Sequence, residues 1–286
     1  MSFYAPYLSF FSNFGYCTNF LKNSISTAPI DGDRSLENPV KHEHSEFLKK
    51  YNIRSDLVIQ EKITPGFANT LGGNNTFATP IISLSPGIRE IDKEAFNSIF
   101  KYEIAHVYYN DVVIQHLTGL SAGCIHTLAT YFLLNPVYQS VDEKADGGVS
   151  ADLVFLGSCI YSAKKITQYA TCKFNRFCVE RADQFALDNM TIEEKLGRRR
   201  QFKAWQNFVK EVRSPDSEVL LPNGDVVDPK YPTSTERIKI IEESLSKDGF
   251  DLSTLQKLDQ QPDQQEKIKQ LVEVAHKDHG TKKQNS

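Results

Sequence analysis

Cysteine is scarce in this sequence and shows no pairing pattern. Cys17, Cys124, Cys159, Cys172 and Cys178 include no C-x-x-C and are odd in number. That argues against a disulfide scaffold and a cysteine zinc ribbon, and points to free thiols in a reducing, cytoplasmic compartment. The one alternative is a stray oxidation-sensitive pair such as Cys172 and Cys178. A surplus of either charge is missing as well: 33 Lys and Arg against 36 Asp and Glu give a net charge of −3 over 286 residues. Attachment to nucleic acid by bulk positive charge is thereby excluded, although a local basic patch is not. There is no internal repeat. The first twenty residues carry no charge, and they have neither a basic leader nor an A-x-A cleavage site, so they do not read as a secretory signal. Their aromatic content suits a segment that docks over the domain, or an interfacial anchor. Apolar residues are abundant, at 40% of the chain, which is enough for a sizeable core and too much for a disordered chain.

Residues 31–50 are polar and read as a linker running into a short helix. Alternation over 57–63 predicts a strand that Pro65 and Gly66 end. A second apolar run, 77–84, is interrupted by Pro80 and suits an edge strand. With the turn composition LGGNN at 71–75 between them, a small antiparallel sheet is expected. From Asp92, a candidate N-cap, the period becomes helical: Ile91, Ala95, Ile99, Tyr102 and His106 fall at steps of three or four.

Residues 112–134 then hold no Asp, Glu, Lys or Arg, and 149–163 hold only Asp152. The two segments read as an apolar helical hairpin joined by a polar loop. The first arm is long enough to span a bilayer. His116, His126 and Asp152 favour core or interfacial packing over insertion. Further helices are expected at 164–190, about 193–212 and about 235–247, with Arg198, Arg199 and Arg200 on a solvated face. The end of the chain reads as a polar tail that forms a helix to about His276 and then frays. The H-x-H pair His42 and His44 also reads as a solvated helix face.

Three short pieces carry chemistry. In KYEIAHVYYND, residues 101–111, Tyr102 and His106 share a helix face with Glu103 beside them. In CVERADQFALDNM, residues 178–190, Glu180 and Asp183 are three apart on one face. In YPTSTERIKII, residues 231–241, a proline and a Ser/Thr cap open a helix that carries Arg237. Arg237 reads either as a charged clamp for a carboxylate or a peptide carbonyl, or as an ordinary surface ion pair with Glu236 or Glu242. Each piece alone is common.

In this order and spacing the pieces resemble the M48 family of zinc metallopeptidases, which are HtpX- and Ste24-like. That family shows H-E-x-x-H followed by Asp, then E-x-x-A-D, then H-P-S-x-x-x-R-I. Here the corresponding residues read Y-E-I-A-H with Asp111, then E-R-A-D at 180–183, then Y-P-T-S-T-E-R-I at 231–238. The resemblance implies an α+β, mostly α, gluzincin-like metallopeptidase domain over 51–245, with a small antiparallel sheet and an apolar helical hairpin. An aromatic extension and linker, 1–50, would precede it, and a polar tail, 246–286, would follow. It also implies zinc held by His106 and Glu180 with Tyr102 at the first ligand position, Glu103 as general base, Tyr231 and Arg237 at the reacting carbonyl, and Asp183 behind the ligands.

The chain departs from the family where Tyr102 and Tyr231 stand in place of histidines. A phenol, with a pKa of about 10, must lose its proton to bind zinc strongly, so the ion is expected to be held weakly or not at all. The function expected by resemblance is a zinc metalloendopeptidase impaired at Tyr102. The alternatives are an inactive pseudopeptidase that binds peptide or protein, and a structural protein in which these groups form only a buried polar network. Peptides or proteins are the expected partners, a membrane surface is a further candidate, and nucleic acid is not expected.

Overall fold

The structure is a computed structural model that describes residues 37–62, 67–75, 79–129, 132, 149–213 and 219–284. The aromatic lead-in at 1–36, the polar loop at 135–148 and the last positions of the first hairpin arm lie outside the described residues. The architecture is α+β and mostly helical. Two compact units divide the chain: the described residues of 29–112 and 176–286 form one, and those of 113–175 the other.

The larger unit opens with two short helices, α1 (Glu37–Glu43) and α2 (Ser45–Lys50). Three strands follow: β1 (Val58–Glu61), β2 (Ala68–Leu71) and β3 (Ile81–Leu84). The sheet order is β1-β3-β2, with β1 parallel and β2 antiparallel to β3. The all-antiparallel expectation is therefore corrected. The 68–71 stretch is itself a strand, so the chain reverses twice, before β2 and again before β3, and β3 runs the same way as β1. Pro80 does not mark an edge either, since β3 is central and fully buried. Pro80 precedes the ladder, where its missing N–H costs nothing, and its carbonyl accepts from Val58 N at 2.9 Å.

After a one-turn helix α3 (Ile88–Ile91), the helix α4 (Lys93–Tyr108) starts where the periodicity placed it. Asp92 caps it by accepting from Ala95 N at 3.0 Å. The buried side of α4 (Phe96, Ile99, Phe100, Ile104, Val107) joins Leu57, Ile59, Ile82 and Leu84 in the main core. Asn110 takes a left-handed conformation, φ 57°, and turns the chain directly into α5 (Asp111–Ala129).

The separate helices expected at 149–163 and 164–190 are one continuous helix, α6 (Val149–Asp188), of 40 residues. No proline or glycine pair interrupts it, so nothing breaks the hydrogen-bond ladder at Lys164. A capping box at Thr191 and Glu194 starts α7 (Ile192–Val212), and a second, at Thr233 and Glu236, starts α8 (Ser234–Lys247). The chain ends in α9 (Ser253–Asp259) and α10 (Pro262–Gln284). The stretch read as a polar tail thus contributes Leu271, Val272, Val274 and Ala275 to the main core, and α10 packs on α7.

Arg198, Arg199 and Arg200 are 4, 7 and 9% exposed, which corrects the solvated-face expectation. Three consecutive helical residues sweep about 200° around the axis, so they cannot share one wet face. Arg199 binds Glu242 at 2.7 Å and Asp259 at 2.6 Å. Arg200 forks onto the capping carboxylate of Asp92 at 2.7 and 2.9 Å. His44 is buried as well and stacks on Phe100 with centroids 4.6 Å apart, while His42 is exposed.

In the smaller unit the arms of α5 and α6 meet antiparallel. Gly119 faces Thr167 and Thr171, and His126 Nε2 lies 3.0 Å from Ser162 Oγ. Among the described residues no helix is long and apolar enough to cross a membrane.

Candidate functional site

The site lies within the larger unit, where α4, α6, α7 and α8 converge. Four-residue spacing on α4 sets Tyr102 and His106 on one face, with ring centroids 4.7 Å apart and planes nearly perpendicular. Glu103, one position on, points away from them toward the sheet. It is 6% exposed and accepts from Thr70 Oγ1 of β2 at 2.5 Å.

His106 Nδ1 lies 2.7 Å from Asp111 Oδ2, and the other Asp111 oxygen accepts from Arg181. A carboxylate only accepts, so in the neutral ring the proton sits on Nδ1 and Nε2 is the basic nitrogen. The left-handed Asn110 is what brings Asp111 back over His106. Arg181 also stacks over Tyr109, 4.0 Å from its centroid. The Cys178 thiol is pushed up to about 12, first by burial and then by the Asp111 charge, which keeps it a protonated and unreactive thiol.

Asp183, on α6, accepts from Arg237 Nη2 at 2.5 Å, and Arg198 Nη2 stands 3.6 Å away. Both guanidiniums lie against Tyr102, 4.5 Å (Arg198) and 4.9 Å (Arg237) from its ring centroid, and both also lie over Phe202. Burial and the neighbouring Arg237 charge hold Arg198 down to about 10, with Asp183 pulling the other way. Burial opposes the charge on Arg237, but Asp183 and Tyr102 outweigh it, so this group stays ionised. The Tyr102 phenol is pushed above its ordinary value, chiefly by burial, and remains neutral. A cavity of about 10 Å³, the room of one water, abuts Asp183, Arg198, Arg237 and Phe202.

The sequence candidates therefore divide. Tyr102, His106, Asp183 and Arg237 belong to one cluster, and Arg237 does clamp a carboxylate, that of Asp183 rather than Glu236 or Glu242. Asp183 holds guanidiniums instead of an imidazole. Glu180 is exposed and pairs with Arg176 at 2.9 Å, which in turn reaches Glu236 at 3.1 Å. Tyr231 is 48% exposed in the turn before α8, its N–H bonded to Asp228 O.

Arg198, Phe202, Thr70 and Arg181 were missed. The signal for Arg198 was a run of three arginines on a helix also carrying Phe202, Ala204 and Phe208, which leaves no uninterrupted wet face.

Among the described residues no group of three or more His, Cys, Asp or Glu side chains is placed to hold a metal ion. The donors as arranged do not fit a divalent cation. Tyr102 is held neutral, Glu180 is engaged elsewhere, and two cationic groups lie against the tyrosine. His106 Nε2 alone keeps the character of a ligand. Compared with known proteins, the chain matches no family model, no curated protein and no solved structure.

Proposed function

We propose that this chain is a pseudopeptidase: a gluzincin-like, M48-like metallopeptidase arrangement that binds peptide or protein without cutting it. The observation that carries this reading is the packing of Arg198 and Arg237 against the Tyr102 ring, with Asp183 accepting from Arg237. Two cations lie against the ring that stands at the first zinc-ligand position of the resemblance. A dication brought there meets like charge, and a neutral phenol offers it only a weak donor. Zinc in an active relative would supply a polarised water, and no described residue is arranged to replace it. The edge position of β2, beside the Glu103 anchor, supports binding of an extended peptide by strand addition.

One observation favours the competing reading of an impaired zinc endopeptidase. The His106–Asp111 pair orients Nε2 as a carboxylate orients a metal-binding imidazole. Metal content after zinc dialysis, run with a peptide-hydrolysis assay, separates the two. No stoichiometric zinc and no cleavage are expected, with His106→Ala changing neither. Stoichiometric zinc that is lost in His106→Ala overturns the pseudopeptidase reading. Tyr102→His is expected to raise zinc affinity, and further when combined with Arg198→Met, because the face and spacing already suit two imidazoles.

A further inference from the structure

The exposed sides of the two hairpin arms have a chemistry that the Tyr102 site does not explain. On α5, Ile114, Leu117, Ile125 and Leu128 are 37, 54, 67 and 57% exposed. At the helical angle per residue they fall within an arc of about 80°. The opposite side of α5 is the one that meets α6, through Gly119 and the buried His126. On α6, Tyr161, Ile166 and Tyr169 are 63, 47 and 66% exposed. The Lys165 ammonium stands 5.5 Å from the Tyr161 ring centroid, and that of Lys173 5.8 Å from the Tyr169 centroid. Residues 113–129 contain no Asp, Glu, Lys or Arg, while 153–175 contain Lys164, Lys165 and Lys173 and no acid.

Exposed aliphatic residues, tyrosines with lysines folded over them, and no carboxylate between Asp152 and Asn175 are what an anionic bilayer surface selects. Aliphatic side chains enter the acyl boundary, tyrosine rings sit at headgroup depth, and long lysine stems carry their charge up to the phosphates. A second copy of the chain would set lysine against lysine with no acid in these segments to offset them. A spanning hairpin is opposed by the polar contact of His126 with Ser162 in its middle, and no described helix is long and apolar enough to cross.

We propose that the α5–α6 hairpin docks on an anionic lipid surface, lying in the interface without crossing it. This docking is independent of whether the Tyr102 site binds metal or peptide. It is tested by floating the full-length protein with vesicles of phosphatidylcholine alone and of phosphatidylcholine with phosphatidylserine. Binding is expected only with the anionic vesicles, with release both by high salt and by alkaline carbonate. The triple variant Lys164→Gln, Lys165→Gln, Lys173→Gln is expected to lower the partition coefficient roughly 100-fold. A second triple variant, Leu117→Ser, Ile125→Ser, Leu128→Ser, is expected to lower it at least about tenfold, with an unchanged circular dichroism spectrum. Four outcomes would overturn the proposal: no flotation, equal binding to both vesicle types, resistance to carbonate, or a solution dimer that the serine variant dissolves.

Discussion

The two units handle positive charge in opposite ways. In the larger one, Arg198, Arg199 and Arg200 are buried, and each meets acids from other elements: Asp183 from α6, Glu242 and Asp259 from α8 and α9, and Asp92 ahead of α4. In the hairpin, Lys164, Lys165 and Lys173 are exposed, and no acid occurs in residues 153–175. Removing a guanidinium from water is so costly that it is tolerated only with a carboxylate in reach. An ammonium left in water needs no partner, so the lysines are free to answer to a surface outside the chain. Similar basic residues thus join helices together in one unit and face outward in the other.

The largest test of that contrast is Asp183→Ala, which strands Arg198 and Arg237 without their shared carboxylate. A loss of about 4 kcal/mol is expected in denaturant unfolding. A loss under about 1 kcal/mol would mean that water, rather than Asp183, satisfies the pair.

Next is Gly197→Ala, in the turn of α7 that carries the arginines. Helix propensity alone makes alanine better here by about 1 kcal/mol. A Cβ, however, would meet Ala95 N at 2.5 Å and Glu94 C at 2.6 Å, and backbone cannot swing aside. The expected sign is therefore reversed, with a loss of about 2 kcal/mol measured by thermal or denaturant melting. A stabilised variant would show that the approach of α7 to the start of α4 is looser than this.

A smaller effect is expected from pH. Burial holds the His44 pKa below its ordinary value, so the folded state keeps the ring neutral. The unfolded chain takes up the proton first as pH falls. Stability from this residue is therefore fully present above about pH 6.5, drops as pH falls through that value, and levels off below the folded pKa. His44→Phe, which keeps the stack on Phe100, is expected to remove that slope. An unchanged slope would assign it to another group. At lower pH a second decline begins, because Asp92 and Asp259 have depressed folded values. Burial would raise both, but Arg200 in the first case and Arg199 with Lys203 in the second reverse it. Their contribution is present above about pH 4 and is lost as pH falls further.

The smallest effect is the stability change of the triple lysine-to-glutamine variant, expected to stay within about 0.5 kcal/mol in denaturant melts while its vesicle binding falls. A larger loss would place those lysines in the fold rather than at a surface.

Much of the site was legible because it rests on local rules. The spacing of Tyr102 and His106, the capping role of Asp92 and the helix start before Arg237 each depend on residues within one or two turns. Glu180 misled because a helical face can point toward a partner or toward solvent, and only the packing of α6 decides which. Arg198 was hidden for a related reason, since Tyr102 and Asp183, which it meets, lie on α4 and α6. His44 looked like half of a solvated pair until Phe100 covered it. The sheet was half legible: two strands lie where an alternating stretch and an apolar run put them, but their relative direction hung on the four residues of β2.

By itself the sequence determined the element types, the caps, the α4 face that carries Tyr102 and His106, and the uncharged and acid-free stretches of the hairpin. These follow from periodicity, from side chains that satisfy the nearest free backbone groups, and from composition. Only the tertiary structure decided that Asp183 would answer two arginines and that Glu103 would turn to Thr70. Each of those outcomes depends on which distant groups lose water together, and no local pattern records that.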